Sequence, residues 1–264
     1  MKKLIKAALN FIGFDLVRTR LVGKGLPNER IFPNERRAWK KFLLMIHPYC
    51  KDKTLDELRL MSRSKDGQDI FVAIHNEFKP SGFFVEFGGA DGLAGSNTYF
   101  LEKVLGWGGV IAEPCRGWHE GLRMNRTCYI SEKCVYKDSR SKVIFKENLK
   151  NLELSSIGSF SDESDVEQYE VDTISLNDLL DEVDAPEYID YLSIDTEGSE
   201  LEILESIDWT ARQFGVVTVE HNHKCYRDDI QRLLESVGYK KVWTEISRNE
   251  YWFLLSSGTK AGLS

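Results

Sequence analysis

The 264-residue chain is 42% hydrophobic and 29% charged, the proportions of a globular protein, and is long enough for one α/β domain with a decorated N-terminus. Its formal net charge of -7, with no dominating basic stripe, argues against a duplex nucleic-acid partner. The five cysteines, at 50, 115, 128, 134 and 225, include no C-x-x-C pair, so reduced thiols are expected and a structural zinc site is not.

In the first twenty residues, Lys2, Lys3 and Lys6 lie beside Leu4, Ile5, Ala8, Phe11 and Ile12, which gives a helix with one apolar face and a basic flank. Such a helix either lies on anionic lipid or docks on the protein's own core. It lacks the long apolar core and small-residue cleavage site of a signal peptide, and no run in the chain approaches the length of a membrane span. The expectation is a cytoplasmic protein, with peripheral contact at the inner membrane face through residues 1–20 as one alternative. Gly23, Gly25, Pro27 and Pro33 mark a loop. Residues 35–46 read as a helix ended at His47-Pro48, and residues 54–62 as another, with Thr54 and Glu57 at capping-box spacing. Helical character continues over 68–78. Residues 1–80 therefore group as a helical N-terminal extension, and 81–264 as a second unit.

From residue 83 short apolar runs alternate with helical stretches. Strands are expected at 83–87, 109–112, 127–131, 189–194 and 215–219, with an added strand at 142–146 and extended chain at 168–172. Helices are expected at 96–105, 118–124, 175–181, 199–207 and 228–237, the last ended by Gly238. Residues 239–244 and 251–255 lie too close for a helical crossover and should pair antiparallel. The alternation predicts an α/β fold with a mostly parallel sheet and helices on both faces.

Four motifs at strand ends carry chemistry, because open α/β sheets bind ligands at the carboxyl edge. Phe83-Phe-Val-Glu-Phe-Gly-Gly-Ala-Asp-Gly92 ends a strand in Glu86 and a glycine turn. The dinucleotide pattern G-x-G-x-x-G needs glycine at 90 and 93, where the chain has Ala90 and Leu93. Glu86, Gly88, Gly89 and Asp91 instead suit the ammonium and sulfonium of S-adenosyl-L-methionine by charge complementarity; the alternative is a tight turn with Glu86 paired internally. Glu113 ends the second strand, where an acid accepts hydrogen bonds from ribose hydroxyls. Ile189-Asp-Tyr-Leu-Ser-Ile-Asp-Thr-Glu-Gly-Ser-Glu200 places Asp195 at the mouth of a buried strand with Glu197 nearby, and Glu200 suits the first turn of a helix. Val219-Glu-His-Asn-His223 brings Glu220, His221 and Asn222 to the same edge. His221 could take a proton there, or Asp195, Glu220 and Asn222 could hold a divalent cation. His47, His75 and His119 read as structural.

Together these stretches resemble the FkbM-type methyltransferases. The likeness rests on residues 84–92 with Ser96-Asn-Thr98, Val110-Ile-Ala-Glu-Pro114, residues 189–200 and Val219-Glu-His221, and it runs from about 68 to 255. It implies a Rossmann-like class I methyltransferase fold, a seven-stranded sheet with the last strand antiparallel. It also implies S-adenosyl-L-methionine as cofactor, with Glu86, Gly88 and Asp91 at its methionine end helped by Asn97, Glu113 on the ribose, and residues near Ser131 to Cys134 beside the adenine. Many members have aspartate for Glu86 followed by Gly-Ala-Asn, so that asparagine's role falls here to Asn97 or Asp91. The implied reaction is O-methyl transfer to a small-molecule or glycan acceptor, with Asp195 and His221 as bases and Glu197 as orienter. Residues 154–165 and Tyr226, Trp243, Tyr251 and Trp252 could shape the acceptor pocket. Two other readings are a nicotinamide-dependent oxidoreductase and a non-catalytic module binding a glycan or a protein.

Overall fold

The computed structural model describes residues 58, 60–157, 165–242 and 249–256. The amphipathic helix in 1–20, the loop at 23–33, the helix at 35–46, most of the capping-box helix at 54–62, Trp243 and residues 158–164 of the serine-rich loop lie outside them. No helix among the described residues is long and apolar enough to cross a membrane.

The described chain begins with α1 (Gln68–His75) and β1 (Phe83–Phe87), followed by α2 (Tyr99–Lys103), β2 (Gly108–Ala112), α3 (Arg116–Asn125) and β3 (Tyr129–Ser131). Next come β4 (Cys134–Val135), β5 (Lys142–Asn148), a 3-10 turn (Leu152–Leu154), β6 (Val166–Ile174), α4 (Leu176–Glu182) and β7 (Tyr188–Ile194). The run closes with α5 (Glu200–Glu205), β8 (Gln213–Glu220), α6 (Arg227–Ser236), β9 (Tyr239–Val242) and β10 (Glu250–Leu255).

Seven strands form one sheet in the order β3-β2-β1-β7-β8-β10-β9. Neighbours from β3 to β8 are parallel, and β10 is antiparallel to both β8 and β9. This is the expected Rossmann-like arrangement of class I methyltransferases. The strands are continuously apolar because both faces are covered. Period-2 alternation sends Phe84, Ile111, Tyr191 and Val216 to one face, against Ile70 and Phe71 of α1 and Phe100 of α2. Val85, Val110, Leu192 and Val217 go to the other, against α4, α5 and α6. Helix α1, grouped by sequence with the extension, is thus part of the sheet's own core, its Phe71 ring 4.9 Å from that of Trp252.

Two local departures have physical reasons. The helix expected from residue 96 starts only at Tyr99: Ser96 and Thr98 give their hydroxyls to Glu86, and Ser96 Oγ accepts from Thr98 N and Tyr99 N, which holds 96–98 as a turn before the helix. Helix α1 stops at His75, since Glu77 and Phe78 turn into the left-handed region at φ 52° and 54°. The extended segments at 142–148 and 166–174 pair with each other and with β4 as a separate sheet, β4-β6-β5.

Strand order reverses between β1 and β7: β2 and β3 lie on one side, β8 on the other. Their carboxyl ends form the switch-point crevice of an open sheet. Phe87 pairs with Ile194, which sets Gly88 beside Asp195. Gly88 has φ +76°, and a Cβ there would sit 2.0 Å from the Asp195 carbonyl oxygen. Its close approach is therefore to the neighbouring strand end.

Candidate active site

The crevice opens into a cavity of about 410 Å³. One end is lined by Trp118 of α3, Cys134 and Val135 of β4, Phe145 of β5 and Leu152 of the 3-10 turn. The small sheet therefore supplies an apolar slot of the kind that accepts a flat base. The glycine turn and Glu113 line it at the ends of β1 and β2, and Asp195, Glu197 and Glu220 line it across the switch point, at the ends of β7 and β8.

Of the residues expected to hold the cofactor, Glu86, Gly88, Gly89, Asn97 and Glu113 all line this cavity. Glu86 is 2% exposed, and both its oxygens are engaged by the chain. They accept from Asn97 N (2.7 Å), Thr98 Oγ1 (2.5 Å), Ser96 Oγ (3.2 and 3.3 Å) and Arg126 (3.5 Å). Burial pushes its carboxyl up, opposed chiefly by Arg126. Arg126, whose side chain is fully buried, also bonds Glu102 at 2.6 Å. Against the upward push of burial, Arg126, Lys103 and Thr127 hold Glu102 down at about 2. The internally paired alternative thus describes Glu86, and its partner Arg126 went unnoticed in the sequence. Asp91 does not line the cavity; its Oδ1 closes the turn by accepting from Leu93 N and Ala94 N, both 2.8 Å.

Glu113 accepts from Ala90 N and Cys115 N, each at 2.9 Å, which ties the glycine turn to the end of β2. Burial raises its carboxyl to about 7, those N–H groups oppose the rise, and the charges of Asp195 and Glu86 add to it. Asn97 donates to Ser193 Oγ at 2.9 Å, while its Oδ1 is buried without a hydrogen-bond partner. That acceptor, in the wall beside the glycine turn, fits an ammonium donor.

At the far end, Asp195, Glu197 and Glu220 each present a carboxylate oxygen within 4.8 Å of the others. Burial pushes the Asp195 and Glu220 carboxyls up, and a hydrogen bond links the two. Glu197 rises to about 7 through burial and the charges of Asp195 and Glu200. The loops carrying these groups are conformationally strained, with Glu197 and Asn222 at φ of 58° and 39°, and so is the glycine turn, with Ala90 at 46°, where L residues are uncommon and functional sites concentrate them. Glu200 folds the 196–198 loop, accepting from Thr196 N, Thr196 Oγ1 and Gly198 N, and from Tyr226 Oη at 2.8 Å.

His221 and Asn222 are not in the cavity wall. The His221 ring packs on Tyr251 with centroids 4.2 Å apart, its Nδ1 accepts from His223 N, and burial lowers it to about 4. Asn222 turns its amide nitrogen to Glu220 (2.6 Å) and Glu197 (3.2 Å), so Glu197 takes the place expected for Asn222 in the carboxylate group. Tyr226, Tyr251 and Trp252 are likewise absent from the lining, whereas Glu153, Ser155 and Ile157 of the serine-rich region and its approach belong to it. The sequence missed Trp118, Phe145 and Leu152; the alternation at 142–146 revealed a strand but not the sheet that turns Phe145 inward.

A family model described as the methyltransferase FkbM domain matches residues 86–241. No curated protein matches the sequence. Among solved structures, a precorrin-6y C5,15-methyltransferase from Geobacter metallireducens GS-15 is 12% identical, with a TM-score of 0.38 over 70% of this chain and 85% of that one. A SAM-dependent methyltransferase from Aquifex aeolicus is 10% identical, with a TM-score of 0.37 over 76% of this chain and 98% of that one.

Proposed function

Because the chain belongs to the FkbM methyltransferase family, we propose that it moves the methyl group of S-adenosyl-L-methionine to a hydroxyl of a sugar or glycan acceptor. The observation that carries this reading is the single cavity running from an apolar slot, past Glu113, to the Asp195–Glu197–Glu220 carboxyl group. The wall matches the cofactor's chemistry: the apolar slot for the adenine, Glu113 for the ribose hydroxyls, and the free Asn97 Oδ1 for the ammonium. Family membership sets the oxidoreductase reading aside.

The bound cofactor supplies an electrophilic methyl on a sulfonium, which leaves as a neutral thioether. A sugar hydroxyl is a weak nucleophile and must lose its proton as the new O–C bond forms. Asp195 is the base we assign. It stands at the mouth of β7 in the cavity wall, and burial raises its carboxyl toward the proton affinity that a base needs. Glu220, whose carboxyl is raised by burial and by the charge of Asp195, holds the proton of their hydrogen bond and so leaves Asp195 ionised to act, and Glu197 orients the acceptor. His221 lies outside the wall and is a poor base with its ring held near 4. Much of the remaining acceleration comes from alignment in a site poor in water.

Replacing Asp195 by Asn tests this. Label transfer from S-adenosyl-L-methionine to the host glycan fraction should fall by about 10²–10⁴-fold, while S-adenosylhomocysteine affinity by calorimetry stays within a few-fold. Wild-type transfer by the variant would end the base assignment. A wild-type chain that binds the cofactor but labels no glycan, lipid or small-molecule fraction would instead be a binding module. A second reading keeps the reaction and places a divalent cation on Asp195, Glu197 and Glu220, whose oxygens are close enough for it. That reading requires transfer to stop in chelator and return with Mg²⁺ or Mn²⁺.

A further inference from the structure

Among the described residues lining the cavity, eight are acidic: Asp66, Glu86, Glu113, Glu153, Asp195, Glu197, Glu220 and Glu250. One is a lysine, Lys65, and none is an arginine. Such a wall suits the sulfonium and ammonium of the proposed cofactor but holds a single cationic side chain, Lys65, for its third charged group, the carboxylate of the methionine moiety. A carboxylate entering such a cavity needs a cation or a set of N–H donors.

Lys65 is held where it could serve. Its backbone belongs to a short strap before α1, anchored on both sides. On one side, buried Asp69 accepts from Ser62 Oγ and Ser64 Oγ, both 2.7 Å, and from Arg63 N at 3.1 Å. Ser64 also pairs with Gly95 at the end of the glycine turn. On the other side, Asp66 N donates to Gln68 Oε1, and Gln68 Nε2 donates to Glu250 at 2.6 Å. The Lys65 stem passes over Gly95, where a Cβ would lie 3.4 Å from its Cε. Its ammonium stands 3.7 Å from Glu153 across the mouth, with both side chains about half exposed. An exposed pair of this kind is worth little and is readily exchanged. The strap is fixed, the ammonium is available, and it stands beside the same turn as Asn97.

We propose that Lys65 receives the methionine carboxylate of the cofactor and so makes the cavity selective for the amino-acid tail. This rests on the cofactor reading above. Binding of S-adenosyl-L-methionine and of its decarboxylated form, which keeps the nucleoside, sulfonium and amine, is measured by calorimetry on the full chain and on Lys65→Met. The carboxylated ligand should weaken about tenfold in the variant, as expected for loss of one partly exposed charge-assisted hydrogen bond. The decarboxylated ligand should hold its affinity or tighten, because a positive charge has left the mouth. Lys65→Arg should recover most of the loss. Equal weakening of both ligands would make Lys65 only a tether to Glu153 and overturn the assignment, as would no change in either. A wild-type chain that binds neither these ligands nor S-adenosylhomocysteine would overturn the cofactor reading itself, a result distinct from either.

Discussion

Replacing Arg126 by Met removes the cation that the glycine-turn region is built around while keeping much of the side chain's volume. The guanidinium is fully buried and bonds Glu102 Oε2 at 2.6 Å, Thr98 Oγ1 at 2.8 Å and Ser96 Oγ at 3.0 Å, with Glu86 at 3.5 Å. Glu86 loses its counter-charge, and Glu102 is left, among the described residues, with Lys103 alone. Glu102 is held at about 2 against an ordinary 4.5, a gap worth about 3 kcal/mol at 1.36 kcal/mol per pH unit, of which Arg126 supplies the largest lowering part and Lys103 and Thr127 the rest. Breaking a buried ion pair from one side costs about 3–5 kcal/mol, so with Glu86 stranded as well a loss of about 3 kcal/mol is expected. For a chain of this size that is a fall in melting temperature of roughly 10 °C. The loss should also grow with pH. In the wild-type protein Glu102 is depressed, so its contribution is complete above 4.5 and disappears as pH falls toward 2. In the variant Glu86, already raised by burial, loses the cation that chiefly opposes the rise, so the folded state is favoured at low pH and penalised as pH rises, while Glu102 keeps only Lys103 and Thr127. Urea titrations of both proteins at pH 5 and pH 8 should give a larger difference at pH 8. A loss under about 1 kcal/mol, set against that range, or one identical at both pH values, would refute the buried network.

Gly88→Ala should leave little folded protein, because the methyl meets the Asp195 carbonyl at 2.0 Å and the residue sits at φ +76°; a wild-type thermal melt would contradict the strand contact. Glu113 stands near 7 and accepts from ribose hydroxyls more strongly when ionised, so S-adenosylhomocysteine should bind more tightly at pH 8 than at pH 6. Glu113→Gln should flatten that calorimetric pH profile, and a variant that keeps it would remove Glu113 from the ribose. His221→Gln should reduce label transfer far less than Asp195→Asn, since its ring packs on Tyr251; an equal loss would restore the histidine as base.

The sheet and the ligand edge were legible because each parallel strand is an apolar run that ends abruptly in an acid or a glycine. Glu86, Glu113 and Asp195 mark the carboxyl ends of β1, β2 and β7, and the register sets those ends side by side. What the pattern could not show is which way a polar group turns once it arrives. Glu86 and Glu113 look equivalent in sequence, each an acid at a strand end. Arg126 lies 40 residues from Glu86 and leaves no local periodicity, yet it converts Glu86 from a free carboxylate into the anchor of the turn. Among the described residues Glu113 has two backbone donors and keeps acceptor capacity toward the cavity. The same holds at β8, where Val219-Glu-His-Asn puts three polar residues in a row. The strand's alternation and the left-handed turn at Asn222 send Glu220 into the cavity and His221 against Tyr251. Chemistry at a strand end is therefore decided by whether a buried partner from another element reaches the side chain first. Asp195, which no arginine or lysine reaches at bonding distance among the described residues, is met instead by another acid, Glu220, and stays in the cavity wall.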